Sequence, residues 1–333
     1  IQENGYYVDK TKFIEDLLED LSKVKLFTRP RRFGKTLNLS MLKYFFDVRN
    51  AEENRKLFDN LYISKSEYME NQGQNPVILI SLRNAEAENW EDSFFNIKNL
   101  VKSLYKQFQY IKEKLDEFDL EDFLSIVKDK DNADWENSLK NLSRYLYEYY
   151  GKKVIILIDE YDTPMTSAWN EGYYEKSRRF FKSFYSNTLK DNEYLQIGIM
   201  TGILRVAKEG IFSGLNNLVD ISLYPQYGNI CGYTQGDIDT HFQPYLEGID
   251  LGDIKRWYDG YNFLKDNVYN PFDILKFCTE GKLFRNYWFE SGTPTFLIRL
   301  MQEKNFFPPD LQNIKVGEEI LQSFDIDNIE LPV

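Results

Sequence analysis

Two short groups of residues could do chemistry together: Gly34-Lys35-Thr36, and the acids Asp159 and Glu160. The first follows an apolar run at 24–27 and a loop, Thr28-Arg29-Pro30-Arg31-Arg32-Phe33. It precedes a helical pattern with apolar residues at Leu37, Leu39, Met41, Leu42, Phe45 and Phe46. Strand, loop and buried helix in this order make a place for phosphate. Free N–H groups at the helix start point at the anion, and the helix dipole adds partial positive charge. In such a loop the lysine reaches the outer phosphates and the Ser/Thr hydroxyl ligates Mg²⁺. Arg29 stands where the full motif has its first glycine, and Pro30 stiffens the loop and lacks an N–H. Arg29, Arg31 and Arg32 bring positive charge to the anion. The bland alternative is an ordinary strand-to-helix turn with a basic loop.

The second group ends the run Val154-Ile155-Ile156-Leu157-Ile158. Five aliphatic residues in a row predict a strand buried on both faces, as in a parallel sheet. Ligand chemistry in such sheets lies at the carboxyl ends of the strands. Asp159 is then the Mg²⁺ partner of Thr36, and Glu160 polarises the attacking water. Capped-strand acids facing solvent are the alternative, as is a metal-dependent nuclease using Asp159, Glu160 and Asp162. No suitably placed lysine completes a nuclease signature, and that reading leaves Gly34-Lys35-Thr36 unexplained.

The elements around these groups predict an α/β chain. Strands are expected at 24–27, 76–82, 153–158, 194–202 and 218–224, with helices at 13–21, 90–150 and 173–187. Phe94, Phe95, Ile97, Leu100, Val101, Leu104, Tyr105 and Phe108 read as helix-packing core, and Gly151 as the close of a helix from Leu139. The 194–202 strand belongs between the phosphate-loop strand and the Asp-Glu strand, as in additional-strand NTPases. That puts Thr201 beside the γ-phosphate as a sensor, with Arg205 close behind. Tyr7 and Val8, just ahead of the first helix, are candidates for the adenine pocket. Arg178 and Arg179 could reach a neighbouring copy's phosphates, but paired surface charge is the preferred reading. The nucleotide-binding set is thus Tyr7, Val8, Arg29, Pro30, Arg31, Arg32, Phe33, Gly34, Lys35, Thr36 and Leu37. Lys35 and Glu160 carry the catalysis. From about residue 227 short helices and aromatic clusters take over, so the core is set at 1–226 and a small helical, lid-like domain at 227–333.

Composition narrows the classes. The 333 residues carry a net charge of −12, so any nucleic-acid site would have to be a local patch. Cys231 and Cys278 are too few and too far apart for a disulfide framework or a zinc pattern, and a reducing cytoplasm is expected. The single histidine, His241, excludes most His-based metal and triad chemistry. No apolar run approaches the roughly 18 residues of a membrane span. The chain starts at Ile1 and stops at Val333, which suggests a fragment trimmed at both ends.

Six segments in order, YVDKT, RPRRFGKTLNLSML, VIILIDEYDTP, TGILRVAKEGIFSGLNN, WYDGYNF and VYNPFDIL, resemble the bacterial and archaeal AAA-ATPase-like family. The resemblance runs over nearly the whole chain, and the family also uses RPRRFGK in place of a glycine-first loop. It implies a P-loop NTPase of the additional-strand, AAA-like type. That is a three-layer αβα core with a mainly parallel sheet and a helical lid, with ATP and Mg²⁺ as ligands. Family members commonly carry a C-terminal PD-(D/E)XK nuclease-like domain, through which nucleic acid could be bound. A homo-oligomer is compatible with it. A nucleotide-gated switch with little turnover is the second functional expectation.

Overall fold

A computed structural model of the chain describes residues 7–190, 192–204, 211–264 and 266–288. Its centre is a five-stranded parallel sheet of β1 (Val24–Thr28), β2 (Val77–Ser81), β3 (Val154–Asp159), β4 (Leu195–Gly202) and β5 (Leu218–Asp220), in the order β2-β3-β4-β1-β5. The strand after the acids, β4, does lie between β1 and the acidic strand β3. Val154 to Ile158 are each at most 1 % exposed, because helices cover both faces of β3.

Alternate strand residues feed two cores. Phe27, Ile155, Leu157 and Ile199 meet α1 (Lys12–Glu19) and α2 (Lys35–Phe46), through Phe13, Leu17, Leu42 and Phe45. A short α3 (Ala51–Arg55) and 3₁₀ turns lead on to β2. On the opposite face Leu26, Ile156, Ile158 and Met200 meet α4 (Trp90–Gln107), α6 (Ser138–Tyr150) and α8 (Tyr174–Leu189). Outside that layer, α5 (Glu117–Val127) is tied to α6 by Asp119 and Arg144 at 2.5 Å. α7 (Thr163–Asn170) follows the acids directly, with Pro164 in its first turn. Gly151 caps α6 in the left-handed conformation, as its position predicts.

Three expectations need correction. Phe95 is 54 % exposed; Phe94 and Phe95 lie about 100° apart on a helix and cannot both face one core. Leu37 is 56 % exposed, because the first turn of α2 stands at the rim of the sheet rather than beneath it. β5 stops at Asp220: Ile221 still bonds Leu26 O, and the chain then turns as Tyr224 N closes on Ile221 O.

Beyond 226 the chain forms α9 (Gln235–Asp237), α10 (Leu251–Tyr258) and α11 (Pro271–Thr279), as expected of a helical region. It also forms an unexpected antiparallel hairpin, β6 (Tyr261–Phe263) with β7 (Asp266–Val268). A third core of Ile238, Phe242, Ile254, Tyr258, Ile274, Phe277 and Tyr287 takes in Val8 from the other end of the chain. Tyr227, Ile230, Cys231 and Val268 instead share the α2 core with Phe33, so apolar packing runs unbroken across 226/227. Among the described residues no helix is long and apolar enough to cross a membrane.

Candidate functional site

The loop before α2 leaves β1 at Thr28, whose N–H is taken by Ser222 Oγ at 2.9 Å. Gly34 caps α2 at φ +91°. A Cβ there would meet nothing within 4 Å; the left-handed backbone, and not a lack of space, calls for glycine. The first bond of α2 runs from Asn38 N to Gly34 O, so the N–H groups of Lys35, Thr36 and Leu37 have no acceptor within the helix.

Side chains join the two sequence motifs. Thr36 Oγ1 donates to Asp159 Oδ2 at 2.7 Å, across 123 residues of sequence. Lys35 is buried and folds over its own loop, with Nζ donating to Arg29 O at 2.8 Å and Pro30 O at 2.9 Å. Burial pushes its pKa down; Cys231, Asp162, Asp159 and Glu160 pull the other way. Glu160 sits at φ +52°, uncommon for a side chain with a Cβ, and its N–H donates to Asp159 Oδ1 at 3.0 Å. Burial first and Asp159 next raise its carboxyl above the ordinary glutamate range, with Arg83 and Lys35 opposing.

Asp159 pairs in register with Thr201 on β4, so the two side chains lie on one sheet face. Thr201 is fully buried, and its Oγ1 has no hydrogen-bond partner among the described residues. Asp162 reaches beneath the tip of β4, where its Oδ2 accepts the N–H groups of Ile203 (3.0 Å) and Leu204 (2.7 Å). Burial raises its pKa in spite of those two donors. Tyr7, Val8, Gly34, Leu37, Asn38 and Tyr233 line a narrow cleft beside the helix start, and Tyr7 Oη lies 3.2 Å from Met41 Sδ.

Arg29 takes a different place from the one expected. It is 1 % exposed and donates to the carbonyls of Thr28 (2.9 Å), Ser222 (3.0 Å) and Tyr227 (2.8 Å). Its terminal nitrogens face peptide carbonyls, and Asp220 is among the groups that favour its charge. Arg32 lies over the Phe272 ring at 3.9 Å, Phe33 is buried, and Arg31 is exposed. Arg178 pairs with Glu175 at 2.8 Å, in line with the surface reading. Arg205 lies outside the described residues. The sequence reading did not single out Arg83, which follows the end of β2 and bears on Glu160; its strand-end position was the available signal.

The donors suit Mg²⁺. A hydroxyl and a carboxylate oxygen already in contact are hard ligands, and Mg²⁺ takes one or two carboxylates plus substrate phosphates rather than an all-protein cage.

A family model described as "Predicted AAA-ATPase" matches residues 1–212. An "Uncharacterized protein in vnfD 5'region" of Azotobacter chroococcum mcd 1 is 33 % identical over 327 residues, which is 97 % of this chain. The chain spans 58 % of that relative's length. No solved structure matches the chain.

Proposed function

The chain belongs to the AAA-ATPase-like family of predicted ATPases, and from that premise we propose that it binds ATP with Mg²⁺ and hydrolyses it. The observation that carries this reading is the hydrogen bond from Thr36 to Asp159, which brings the helix-start amides and the acids to one volume. Lys35 leaves its loop carbonyls for the β- and γ-phosphate oxygens, while the N–H groups at the start of α2 hold the phosphates from behind. Thr36 and Asp159 would hold Mg²⁺, which when bound would offset charge on the phosphate oxygens. Glu160 orients a water molecule for in-line attack and accepts its proton. Thr201, with an unspent buried hydroxyl beside Asp159, senses the γ-phosphate. Tyr7 and Val8 line the base cleft.

The region after 226 acts as a lid. On resemblance alone, the ATPase regulates a nuclease-like effector, fused or separate, in a reducing compartment that suits the two free thiols. A switch with little turnover is the second reading. It is favoured by the stiffened loop and by Lys35 sitting on its own loop carbonyls.

Phosphate release from ATP tests both. Wild type should turn over with Mg²⁺. Lys35→Ala should lose nucleotide binding, and Glu160→Gln should keep binding while turnover drops. ATP binding without turnover, unchanged by Glu160→Gln, would leave only the switch. No nucleotide binding at all would end both.

A further inference from the structure

We propose that Arg29 is a positioning residue for the phosphate loop, and that through it the β6–β7 hairpin, more than 200 residues downstream, sets how tightly the loop holds a nucleotide. The affinity part rests on the ATP reading above. Arg29 joins six neighbours. Its N–H donates to Gly202 O at the tip of β4 (3.2 Å). Its guanidinium holds the ends of β1 and of the β5 segment through Thr28 O and Ser222 O, and the following turn through Tyr227 O. The guanidinium lies 3.8 Å from the centre of the Phe263 ring on the hairpin. Its carbonyl accepts Lys35 Nζ at 2.8 Å.

Burial drives this cation's pKa down, with Cys231 and Asp220 opposing it. Carbonyl dipoles and the negative face of an aromatic ring offset that cost. Phe263 is therefore one wall of the box that keeps Arg29 in place. Phe33 repeats the arrangement: its ring meets Tyr261 edge-on at 4.6 Å and Phe263 at 6.3 Å, and its carbonyl accepts Gly232 N at 3.3 Å. A phosphate loop with glycine at the first position has no such handles. Here the backbone that must admit a phosphate is fastened to the hairpin at both Arg29 and Phe33. When Lys35 turns to a phosphate it leaves Arg29 O, so nucleotide occupancy and hairpin seating meet at one peptide group. Linkage makes the coupling reciprocal: a change in the hairpin's seat changes affinity, and nucleotide changes the seat.

The test uses the full chain in wild-type form and as Phe263→Leu, Arg29→Lys and the double variant, with circular dichroism to check folding. Binding of a non-hydrolysable ATP analogue with Mg²⁺ should weaken about ten-fold in Phe263→Leu, although Phe263 lies among no phosphate-loop amides. Arg29→Lys should weaken it at least as much, and the double variant should be no worse than Arg29→Lys alone. Hydrogen exchange without nucleotide gives a second readout. Phe263→Leu should speed exchange at 31–36 together with 261–263 and leave β3 unchanged. Wild-type affinity in Phe263→Leu, or fully multiplicative effects in the double variant, would overturn the coupling. So would hairpin amides that loosen while 31–36 stay protected. A wild type that binds no nucleotide would overturn the ATP reading and the affinity claim; the exchange pattern would still decide whether Arg29 and the hairpin position the loop.

Discussion

Replacing Gly202 with alanine should destabilise the protein by about 3 kcal/mol, and the cause is one identifiable collision. A Cβ at this position would lie 2.3 Å from Asp162 Oδ1 and 2.8 Å from both Asp162 Cγ and Tyr161 Cε1. Asp162 and Tyr161 are buried, and β4 is hydrogen-bonded on both sides, so no open space relieves the contact. Either the tip of β4 shifts or the carboxylate swings out. Overpacking of this kind costs about 1–3 kcal/mol. Swinging out also sacrifices at least one of the bonds from Ile203 and Leu204, each worth about 1.5–3 kcal/mol as hydrogen bonds to a charged group. With a urea m-value of about 3 kcal/mol/M, the unfolding midpoint followed by tryptophan fluorescence should fall by about 1 M. Thr201 is the preceding residue, so phosphate release should fall as well. The control is the same change in an Asp162→Ala background, where the obstructing oxygen is gone. There Gly202→Ala should cost about 2 kcal/mol less, a coupling well above the scatter of independent sites. Equal costs in both backgrounds, or a midpoint within about 0.2 M of wild type, would refute the collision as the cause.

Glu160→Gln should lower turnover by about 10²- to 10⁴-fold with nucleotide binding retained, as measured by phosphate release and analogue binding. Burial first and Asp159 next raise the Glu160 carboxyl above the ordinary glutamate range in the metal-free protein. The same shift sets a stability signature. A raised folded-state pKa gives stabilisation that is fully present below the unfolded value and is lost as pH rises through the folded one. Above that window Glu160→Gln should therefore have the higher urea midpoint. Thr36→Val keeps the side-chain shape but removes the donor to Asp159; the Mg²⁺ concentration for half-maximal phosphate release should rise at least about ten-fold.

The parts of this fold legible in the sequence are those with a strong local signal. The Val154–Asp159 run and the Gly34-Lys35-Thr36 helix start have counterparts in the structure, as does the strand order expected by analogy with additional-strand NTPases. The hairpin was illegible because its strands are three residues each, too short for alternation to register, and their aromatics read equally well as helix packing. The place of Arg29 was hidden for another reason. Its partners Ser222, Tyr227 and Phe263 lie 193 residues or more away, and an arginine in a basic loop looks alike whether it faces an anion or a row of carbonyls. Phe95 shows the limit of periodicity, which finds a helix more readily than it chooses between two adjacent residues for the buried face.

Val8 belongs to the same small core as Tyr287, and Lys10 is salt-bridged to Asp237 at 2.8 Å. The segment at 8–10 therefore meets partners more than 220 residues further along the chain. The sheet does not need these contacts, because its last strand ends at Asp220. The core at 238–287 closes around a segment that α1 fixes to the sheet, so completing it requires the closure of a long loop. Without that core the apolar side chain of Val8 would stand in water beside the start of α2.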